Sequence, residues 1–440
     1  MVISKELSIY YTNGNPGDTR KEVIFSRAWT IMKRAYITGR GLVTPLGIGQ
    51  AANIAALKNG VSGICAVQEF IEHNLESQVG GKVQVLPDSS KYDRKQLRFC
   101  QPNALFALEA VSEALAEADI HQEDIPQLRI ALIGGVAGSY FSLIHSMTQS
   151  YCESGRLRDV SPLSVPRVMP SSTVANLSLH FGFNGESYDI SAACSSGAIA
   201  VMQGARLIES GMYDIVVAGG AENLDWVQCL GFTAARALSR AYNECPEKAS
   251  RPFDVDRDGF VLAEGAGFVV LESEESMKRR NVKPISCVSG YASNSNAKDM
   301  VVPDAAASEA VMRDAVKNAG LQPGDIAYVN THGTATKVGD PVEMNAIKAV
   351  FGSNVAINST KSQTGHMIGA TGAVELIFSS LMMEHKFISP SINLENPEPD
   401  FAWADLVREA RENVQLKHIL SNSFAFGGSN ISVILSDCVN

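Results

Sequence analysis

The chain has 440 residues, 45% hydrophobic and 19% charged, so it can bury a substantial core in two or three domains or in one duplicated unit. Its formal charge of -10 and pI near 5.4 argue against binding nucleic acid through the overall field of the protein. Eight scattered cysteines without a CxxC or Cys/His cluster predict neither a metal site nor a disulfide framework, and no apolar run is long enough to span a membrane. We therefore expect a cytoplasmic protein.

Residues 1–31 differ from the rest of the chain, because they contain the turn-rich stretch NGNPGDTR and a weak hydrophobic pattern. One interpretation is an upstream start or an added extension, and the other is a genuine arm packed on the surface. After Met32, the stretch KRAYITGRGLVTPLG is typical of a strand followed by a turn. The fold is therefore expected to begin at residue 32.

From Met32 onward, short apolar strands alternate with amphipathic helices. IALIGGV (130–136) and DIVVAGGAEN (214–223) are typical of buried strands, whereas ALFALEAVSEALAEA (104–118) and AAASEAVMRDAVKNAG (305–320) are typical of helices. This alternation predicts α/β architecture with mixed or parallel sheets.

The pattern restarts near KPISCVSGYAS, and a later strand-turn-helix unit at 355–385 loosely repeats the unit around Cys194. We interpret this repetition as two similar halves. The predicted division is an extension over 1–31, a first half over 32–284 and a second half over 285–440.

The stretch DVDRDGF begins like a calcium loop, with Asp254, Asp256 and Asp258 at suitable offsets. The bidentate glutamate of such a loop would fall at Gly265, so a calcium site is not expected.

Cys194 lies between the strand-like SYDIS and the helical AIAVMQGARLIE. A free cysteine taken alone is usually a small core residue. This one lies near a helix N-terminus, where the dipole and free N–H groups favour a thiolate. Small neighbours leave room for a substrate, and such a turn points N–H groups at a developing oxyanion. Cys194 is therefore a candidate nucleophile.

Two histidines lie in glycine-rich turns. His332 follows an apolar strand in YVNTHGTATKVGDPVE, and His366 lies in STKSQTGHMIGATG. A lone loop histidine is usually a surface or capping residue. Two in similar turns, together with the cysteine turn, predict that the fold brings three chemical groups together.

Five stretches beyond Met32, taken together and in order, resemble one family. The stretches are DISAACSSGA, RALSRAYNECPEKASRPFDVDRDGFVLAEGAG, NTHGTAT, STKSQTGHMIGATGAVE and LSNSFAFGGSN. The chain resembles the β-ketoacyl-acyl-carrier-protein synthases, condensing enzymes of fatty acid synthesis, over nearly all of residues 32–440. It is most similar to the elongation synthases I and II and leans toward synthase I. The resemblance implies a thiolase-like fold of two similar α/β halves with mixed sheets, layered α/β/α/β/α.

The same resemblance implies roles for five residues. Cys194 would take the acyl chain as a thioester, and His332 and His366 would flank the malonyl thioester and promote loss of CO2. Lys361 and Glu375 resemble the supporting pair of the family, with an ordinary helix-end ion pair as the alternative.

Phe426 resembles the residue that supplies a second oxyanion N–H, beside that of Cys194, and whose ring gates the acyl pocket. Ala425 replaces the first glycine of the family's Gly-Phe-Gly-Gly, and we expect its Cβ to stiffen the gate. Thr334 and Thr336 are expected to bind the pantetheine arm, with turn stabilisation as the alternative.

The implied partners are acyl-carrier protein and malonyl-acyl-carrier protein. Because carrier proteins are acidic, basic residues beside the tunnel are expected to steer docking, and the candidates are Arg94, Lys95, Arg98 and Arg236. A solvated helix face is the alternative for each. We expect a homodimer, no metal and no redox cofactor, since phosphopantetheine arrives on the carrier.

The implied reaction is a decarboxylative Claisen condensation that yields 3-oxoacyl-acyl-carrier protein and CO2 in fatty acid elongation. One alternative is a ketosynthase of a specialised polyketide or polyene pathway. Another is a noncatalytic chain-length-factor-like subunit, which Cys194, His332 and His366 argue against because such subunits usually lack the nucleophile.

Overall fold

Apolar runs bounded by glycine and turn residues form the strands, as the alternating pattern predicts. The computed structural model describes residues 34–138 and 140–438, so the predicted extension over 1–31 lies outside the described residues. The strands of the described part are Ala35–Thr44 (β1), Gly47–Ile48 (β2), Ile64–Ala66 (β3), Val79–Gly81 (β4), Ile130–Gly135 (β5), Ser187–Ile190 (β6), Ile215–Glu222 (β7), Gly265–Glu272 (β8), Ser286–Ser295 (β9), Tyr328–Asn330 (β10), Ala356–Asn358 (β11), Phe387–Ile388 (β12), Asp405–Leu406 (β13), Arg411–Glu412 (β14), His418–Phe424 (β15) and Ser429–Ser436 (β16).

Amphipathic or wholly apolar stretches between the strands form the helices. The α-helices of the described part are Gly49–Asn59 (α1), Gln68–Glu72 (α2), Arg94–Leu97 (α3), Pro102–Glu117 (α4), Phe141–Ser154 (α5), Ser164–Val168 (α6), Ser172–Phe181 (α7), Ser196–Glu209 (α8), Trp226–Ala234 (α9), Glu274–Arg280 (α10), Ala305–Asn318 (α11), Gly339–Phe351 (α12), Lys361–Thr364 (α13) and Ile368–Glu384 (α14). The helices expected over 104–118 and 305–320 therefore form within two residues of their predicted ends. Pro102 opens α4 at a position where its missing N–H has no intrahelical partner to lose.

The main sheet repeats one pairing pattern in both halves of the chain. In the first half, β6, β5 and β7 run parallel, and β8 and β1 continue the sheet antiparallel. In the second half, β11, β10 and β15 run parallel, and β16 and β9 continue antiparallel. The expectation of two similar α/β halves with mixed sheets is confirmed.

The two halves share one hydrogen-bonded sheet, which the sequence did not indicate. β1 pairs with β9 through Ala35–Ile37, so the strand order runs β13-β11-β10-β15-β16-β9-β1-β8-β7-β5-β6. Helices α8 and α14 contact strands of both halves, α4 covers the outer face of the first, and α11 covers that of the second. The arrangement is the predicted α/β/α/β/α layering.

Helix α14 occupies the centre because it is apolar on all sides. Residues 368–383 are buried without interruption, as expected for a helix that contacts protein all round. A Cβ on Gly197 of α8 would lie 2.7 Å from the carbonyl oxygen of Gly369, and one on Gly372 would lie 2.8 Å from the Cβ of Ala198. These glycines let α8 and α14 approach closely. The turn before α8 contains Cys194, and the turn before α14 contains His366.

Replacing Gly41 with alanine is expected to lower the free energy of unfolding by about 2–3 kcal/mol, because it overpacks a rigid contact. A Cβ at residue 41 of β1 would lie 1.8 Å from the carbonyl oxygen of Ala110, in the backbone of α4. Urea denaturation measures the change. The control is Gly231→Ala in α9, where nothing lies within 4 Å of the added Cβ. The control should raise stability by about 0.5–1 kcal/mol, and equal effects of the two variants would contradict this account.

None of the helices in 34–138 and 140–438 combines the length and apolarity needed to cross a bilayer.

Candidate active site

Cys194 lies in a tight turn between β6 and α8. Ala193 adopts a φ of 48°, an uncommon conformation for a residue with a Cβ, and a short 3-10 turn spans Ala193–Ser195. Ser196 holds this turn, since its hydroxyl donates to the carbonyl of Ala193 at 2.7 Å and accepts from the N–H of Ala192 at 2.8 Å. The hydroxyl of Ser195 lies 3.1 and 2.8 Å from the carbonyl oxygens of Ser423 and Ser429, and its one proton is shared between these two acceptors. This contact holds the cysteine turn against the end of β15 and the start of β16, on either side of the loop that contains Phe426.

His366 contacts the cysteine directly. Its Nε2 lies 3.0 Å from Cys194 Sγ, and its Nδ1 lies 2.9 Å from the hydroxyl oxygen of Thr371. We assign the proton to Nδ1, which donates to Thr371 and leaves Nε2 free to accept from the thiol. Sequence reasoning missed Thr371. It lies five residues after His366, within the stretch that carries the resemblance. That position is the one feature of the sequence that could have pointed to Thr371.

His332 completes the group from the loop after β10. Its ring centroid lies 5.3 Å from that of His366, nearly perpendicular, and one nitrogen of each ring and the sulfur of Cys194 lie within 4.8 Å of one another. The structure thus brings together three residues separated by up to 172 positions. Their convergence is what the sequence predicts.

Glu343 holds the His332 loop and was also missed from the sequence. Its buried carboxylate accepts the N–H groups of His332 at 2.9 Å and Gly333 at 2.8 Å, and the amide of Asn422 at 3.0 Å. Burial raises the pKa of this carboxyl, and the hydrogen bonds from the three donors offset part of that rise. The glutamate ends the quoted motif TKVGDPVE, and its position in an ordinary helical pattern gave no separate signal.

Lys361 and Glu375 form a buried ion pair. Lys361 Nζ lies 2.8 and 2.9 Å from the two carboxylate oxygens of Glu375, and the side chains are 1% and 0% exposed. Removing one partner of such a pair leaves an uncompensated buried charge, which costs about 3–5 kcal/mol. The pair joins α13 to α14 on either side of the His366 turn, so it fixes that turn.

The ionisation of the three groups differs from the sequence expectation. Burial raises the pKa of the Cys194 thiol to about 12, although the Lys361 charge and the N–H groups of Cys194 and Phe426 lower it. The expected thiolate is therefore wrong for this state, since loss of solvation outweighs the attraction of the helix N-terminus. Burial, followed by the Lys361 charge, holds the pKa values of His332 and His366 well below 6.5. A neutral thiol faces two neutral imidazoles.

The rate at which an acyl thioester loads Cys194 is expected to change less than about threefold between pH 6.5 and 8.5, whereas a free thiol below its pKa gains about tenfold per unit. Neither the thiol nor His366 titrates in that window: the imidazole is protonated only well below it, and the thiol ionises only near 12. Stopped-flow acylation measures the profile, with a small free thiol as the control. A slope near one in log rate against pH would contradict the neutral pair.

The loop after β15 supplies the second N–H group. The N–H groups of Cys194 and Phe426 both reach the sulfur of Cys194 closely enough to affect its pKa. Ala425 has φ -117° and ψ 153°, an extended conformation open to any residue, so its Cβ introduces no strain. Gly427 and Gly428 have φ values of 82° and 77°, and glycine suits both. Backbone strain at Ala425 therefore does not support the expected stiffening of the gate in this conformation.

A cavity of about 300 Å³ leads to the three groups. Thr334 and Thr336 line it, with their hydroxyl oxygens 3.3 Å apart, and Thr336 also accepts the N–H of Gly339 at 3.0 Å. Phe426 lines it as well and is 39% exposed. Arg236 lies on the exposed part of the lining.

The other three basic candidates lie elsewhere on this chain. Arg94, Lys95 and Arg98 belong to α3 or follow it directly, and all three are exposed. They are absent from the described residues that line the cavity. Within one chain, the structure brings only Arg236 of the four to the site.

Comparisons with known proteins point to one family. Models for the N-terminal and C-terminal domains of beta-ketoacyl synthase match residues 32–276 and 285–395. The 3-oxoacyl-[acyl-carrier-protein] synthase 1 of Haemophilus influenzae is 39% identical over 409 residues, which are 92% of this chain and 98% of that protein. The crystal structure of a beta-ketoacyl synthase from Burkholderia phymatum is 34% identical with a TM-score of 0.88, covering 93% of this chain and 100% of that one.

A further solved structure holds a type II PKS acyl-carrier protein in complex with its ketosynthase, bound to the hexaketide. The matching chain is 29% identical with a TM-score of 0.84, and the match covers 92% of this chain and 100% of that one.

Proposed function

The chain belongs to the beta-ketoacyl synthase family, and from that premise we propose that it performs the decarboxylative condensation of an acyl thioester with malonyl-acyl-carrier protein. The protein is an acyltransferase of the 3-oxoacyl-acyl-carrier-protein synthase type, which acts in fatty acid elongation. The noncatalytic alternative is not favoured, since the thiol and both imidazoles are present and in contact.

The first half-reaction transfers the acyl chain to Cys194. The sulfur attacks the thioester carbonyl while the thiol proton passes to His366 Nε2, which lies 3.0 Å away. The N–H groups of Cys194 and Phe426 stabilise the oxyanion of the tetrahedral intermediate. The carrier thiolate leaves and takes the proton from His366. The C–S bond to Cys194 replaces the C–S bond to the carrier.

The second half-reaction extends the chain by two carbons. The malonyl carboxylate leaves as CO2, and the electron pair forms an enolate whose oxygen is stabilised by N–H donors from His332 and His366. Neutral imidazoles donate hydrogen bonds without supplying an acidic proton that would quench the carbanion. The carbanion attacks the acyl thioester, Cys194 leaves as a thiolate, and one proton from solvent restores the thiol.

The contact between Cys194 Sγ and His366 Nε2 carries this proposal, together with the position of His332 in the same cavity. In the second half-reaction the imidazole of His366 has to donate, so its proton must move from Nδ1 to Nε2. The hydroxyl of Thr371, 2.9 Å from Nδ1, accepts or donates equally well and supports both tautomers. Lys361 and Glu375 act as positioning residues, and burial, together with the smaller effect of the Lys361 charge, keeps both imidazoles neutral.

Product analysis tests the proposed function. The protein is mixed with malonyl-acyl-carrier protein and a panel of acyl-carrier proteins bearing chains of increasing length, and mass spectrometry follows the carriers. We expect a 3-oxoacyl carrier two carbons longer than the substrate and one CO2 per turnover. No product at any chain length would overturn the proposal. We also propose that the protein uses no metal or redox cofactor of its own and that the phosphopantetheine arm arrives on the carrier.

The carrier partner follows from the reaction, and the related ketosynthase was solved in complex with its acyl-carrier protein. Docking through exposed Arg94, Lys95 and Arg98 is part of the proposal, because their charge complements an acidic carrier. These residues do not line the cavity of their own chain, so in the proposed homodimer they would guide the carrier toward the cavity of the second copy.

We propose a homodimer in which two copies of the chain meet at the β6 edge of the main sheet. β6 is the last strand on its side, and an edge strand offers unpaired backbone groups to another chain. Tyr188 of β6 is 37% exposed, and Leu179 of the neighbouring α7 and Val165 of α6 are each 73% exposed. Helix α5 has no buried residue despite its apolar Phe141. These exposed apolar side chains lie on neighbouring elements, and we expect a second copy of the chain to cover them.

Light scattering is expected to give twice the 47.1 kDa mass of one chain, and Leu179→Glu is expected to shift the protein toward the single-chain mass. The charge would be buried without a partner at the interface. The control is Met212→Glu, at a residue that is 53% exposed on the turn after α8. A wild-type protein with the mass of one chain would rule out the dimer.

A further inference from the structure

The mouth of the catalytic cavity carries two basic side chains. Arg236 and Lys337 are both exposed and both line the cavity whose buried end holds Cys194. Lys337 Nζ donates to the carbonyl of Val255, which leaves its charge unneutralised. Among the described residues, Arg236 has no side-chain hydrogen bond or ion pair, and its guanidinium is available to a ligand.

The N-terminus of α12 lies at the same place. The helix begins at Gly339, two residues after Lys337, and runs for 13 residues. Its N-cap residue, Val338, offers no side-chain acceptor, and both Val338 and Gly339 line the cavity. Thr336 accepts the N–H of Gly339 and Asp340 lies in the first turn, so this helix end is already satisfied and the positive charge at the mouth comes from the two basic side chains.

Three acidic side chains line the same cavity, and two of them, Asp340 and Glu343, are buried. Asp340 lies 3.5 Å from the guanidinium of Arg257, which also pairs with Glu398, and Glu343 accepts three N–H donors. Asp258 accepts the backbone N–H groups of Arg240 and Ala241, each at 2.9 Å. Asp258 is the one acid of the described lining that is not buried, and against the two exposed cations it leaves an excess of positive charge at the mouth.

We propose that Arg236 and Lys337 bind the phosphodiester of the phosphopantetheine arm as it enters the cavity. This inference rests on the proposed function. The phosphodiester is the anionic group of an otherwise uncharged arm, and it lies at the carrier end, farthest from the thioester. Inside the mouth the lining changes to the hydroxyls of Thr334 and Thr336 and to apolar side chains, which suit the uncharged pantetheine. The charge at the mouth thus fixes how far the arm inserts.

Two small substrates separate phosphate binding from recognition of the carrier protein. S-octanoyl-phosphopantetheine and S-octanoyl-pantetheine differ by the phosphate alone, and intact-mass spectrometry follows acylation of Cys194 by each. The wild-type protein is expected to react about tenfold or more faster with the phosphate-bearing substrate, the advantage of one or two charge-assisted hydrogen bonds. The double variant Arg236→Ala/Lys337→Ala should lose that advantage and react with S-octanoyl-pantetheine as the wild type does.

Lys337→Arg should retain the advantage, and Lys317→Ala, at an exposed lysine of α11 away from the cavity, should leave both rates unchanged. Equal wild-type rates with the two substrates would overturn the subsite. A double variant that slows only the carrier-borne substrate would also overturn it, and would assign both cations to the carrier surface. A wild-type protein that neither small substrate nor octanoyl-acyl-carrier protein acylates would instead count against the proposed function.

Discussion

Replacing Cys194 with alanine is expected to abolish formation of the 3-oxoacyl product while loss of CO2 from malonyl-acyl-carrier protein continues. Among the described residues that line the cavity, Cys194 carries the only thiol, so no other residue of that lining can hold the chain as a thioester. Decarboxylation needs only the N–H donors around the malonyl carbonyl. The enolate is then protonated by solvent, so acetyl-acyl-carrier protein should accumulate. Mass spectrometry of the carriers measures both outcomes.

Accumulation of acetyl carrier distinguishes this result from a variant that fails to fold. The matched control is Cys152→Ala, since Cys152 is an exposed free cysteine on α5, and it should retain wild-type turnover. If Cys194→Ala still forms the 3-oxoacyl product, the thiol is not the acceptor.

Replacing either catalytic histidine should separate the two half-reactions. His366→Ala removes the base for the thiol, so acylation should slow by about 10²–10⁴-fold, the usual worth of a positioned base. His332→Ala removes a donor to the enolate and leaves the Cys194–His366 contact, so acylation should stay within about threefold while condensation falls by about 10²–10³-fold. Single-turnover acylation and steady-state condensation measure the two steps.

Thr371→Val serves as the positioning control for His366. It removes the hydroxyl 2.9 Å from Nδ1 and preserves the shape of the side chain. Its effect should fall on the acylation step, as for His366→Ala, and be smaller. If His332→Ala slows acylation as much as His366→Ala does, the division of labour between the imidazoles is contradicted.

The candidate residues could be predicted from the sequence because their local surroundings are unusual. All three lie among small residues in turns: Cys194 and His332 follow the strands β6 and β10, and His366 follows the short helix α13. Their convergence is predicted as well, but the direct contact between Cys194 and His366 could not be predicted, since it depends on the close packing of α8 against α14. Gly197 and Gly372 permit that packing, and in the sequence they are ordinary helix glycines.

Positioning residues were harder to predict than reacting ones. Thr371 and Glu343 lie inside helices, where threonine and glutamate have common structural uses, and only the contacts with His366 and His332 reveal their roles. The thiolate expected at Cys194 failed for a different reason. A helix N-terminus can be recognised in sequence, but the burial that outweighs it depends on chain far away.

The two halves of the fold could be predicted from the sequence, but the strand pairing that joins them could not. Alternating strands and helices predict two α/β units, and the observed strands pair in the same order in both. The pairing of β1 with β9 joins them through Ala35–Ile37, a short stretch with no distinguishing residue pattern.

Locating the acyl group on the wild-type protein tests the central claim most directly. The protein is treated with octanoyl-acyl-carrier protein, digested, and its eight cysteines are surveyed by peptide mass spectrometry before and after addition of malonyl-acyl-carrier protein. The account predicts one octanoyl group, on the peptide that contains Cys194, which disappears when the malonyl carrier is added. An octanoyl group on any other cysteine, or one on Cys194 that the malonyl carrier does not discharge, would contradict it.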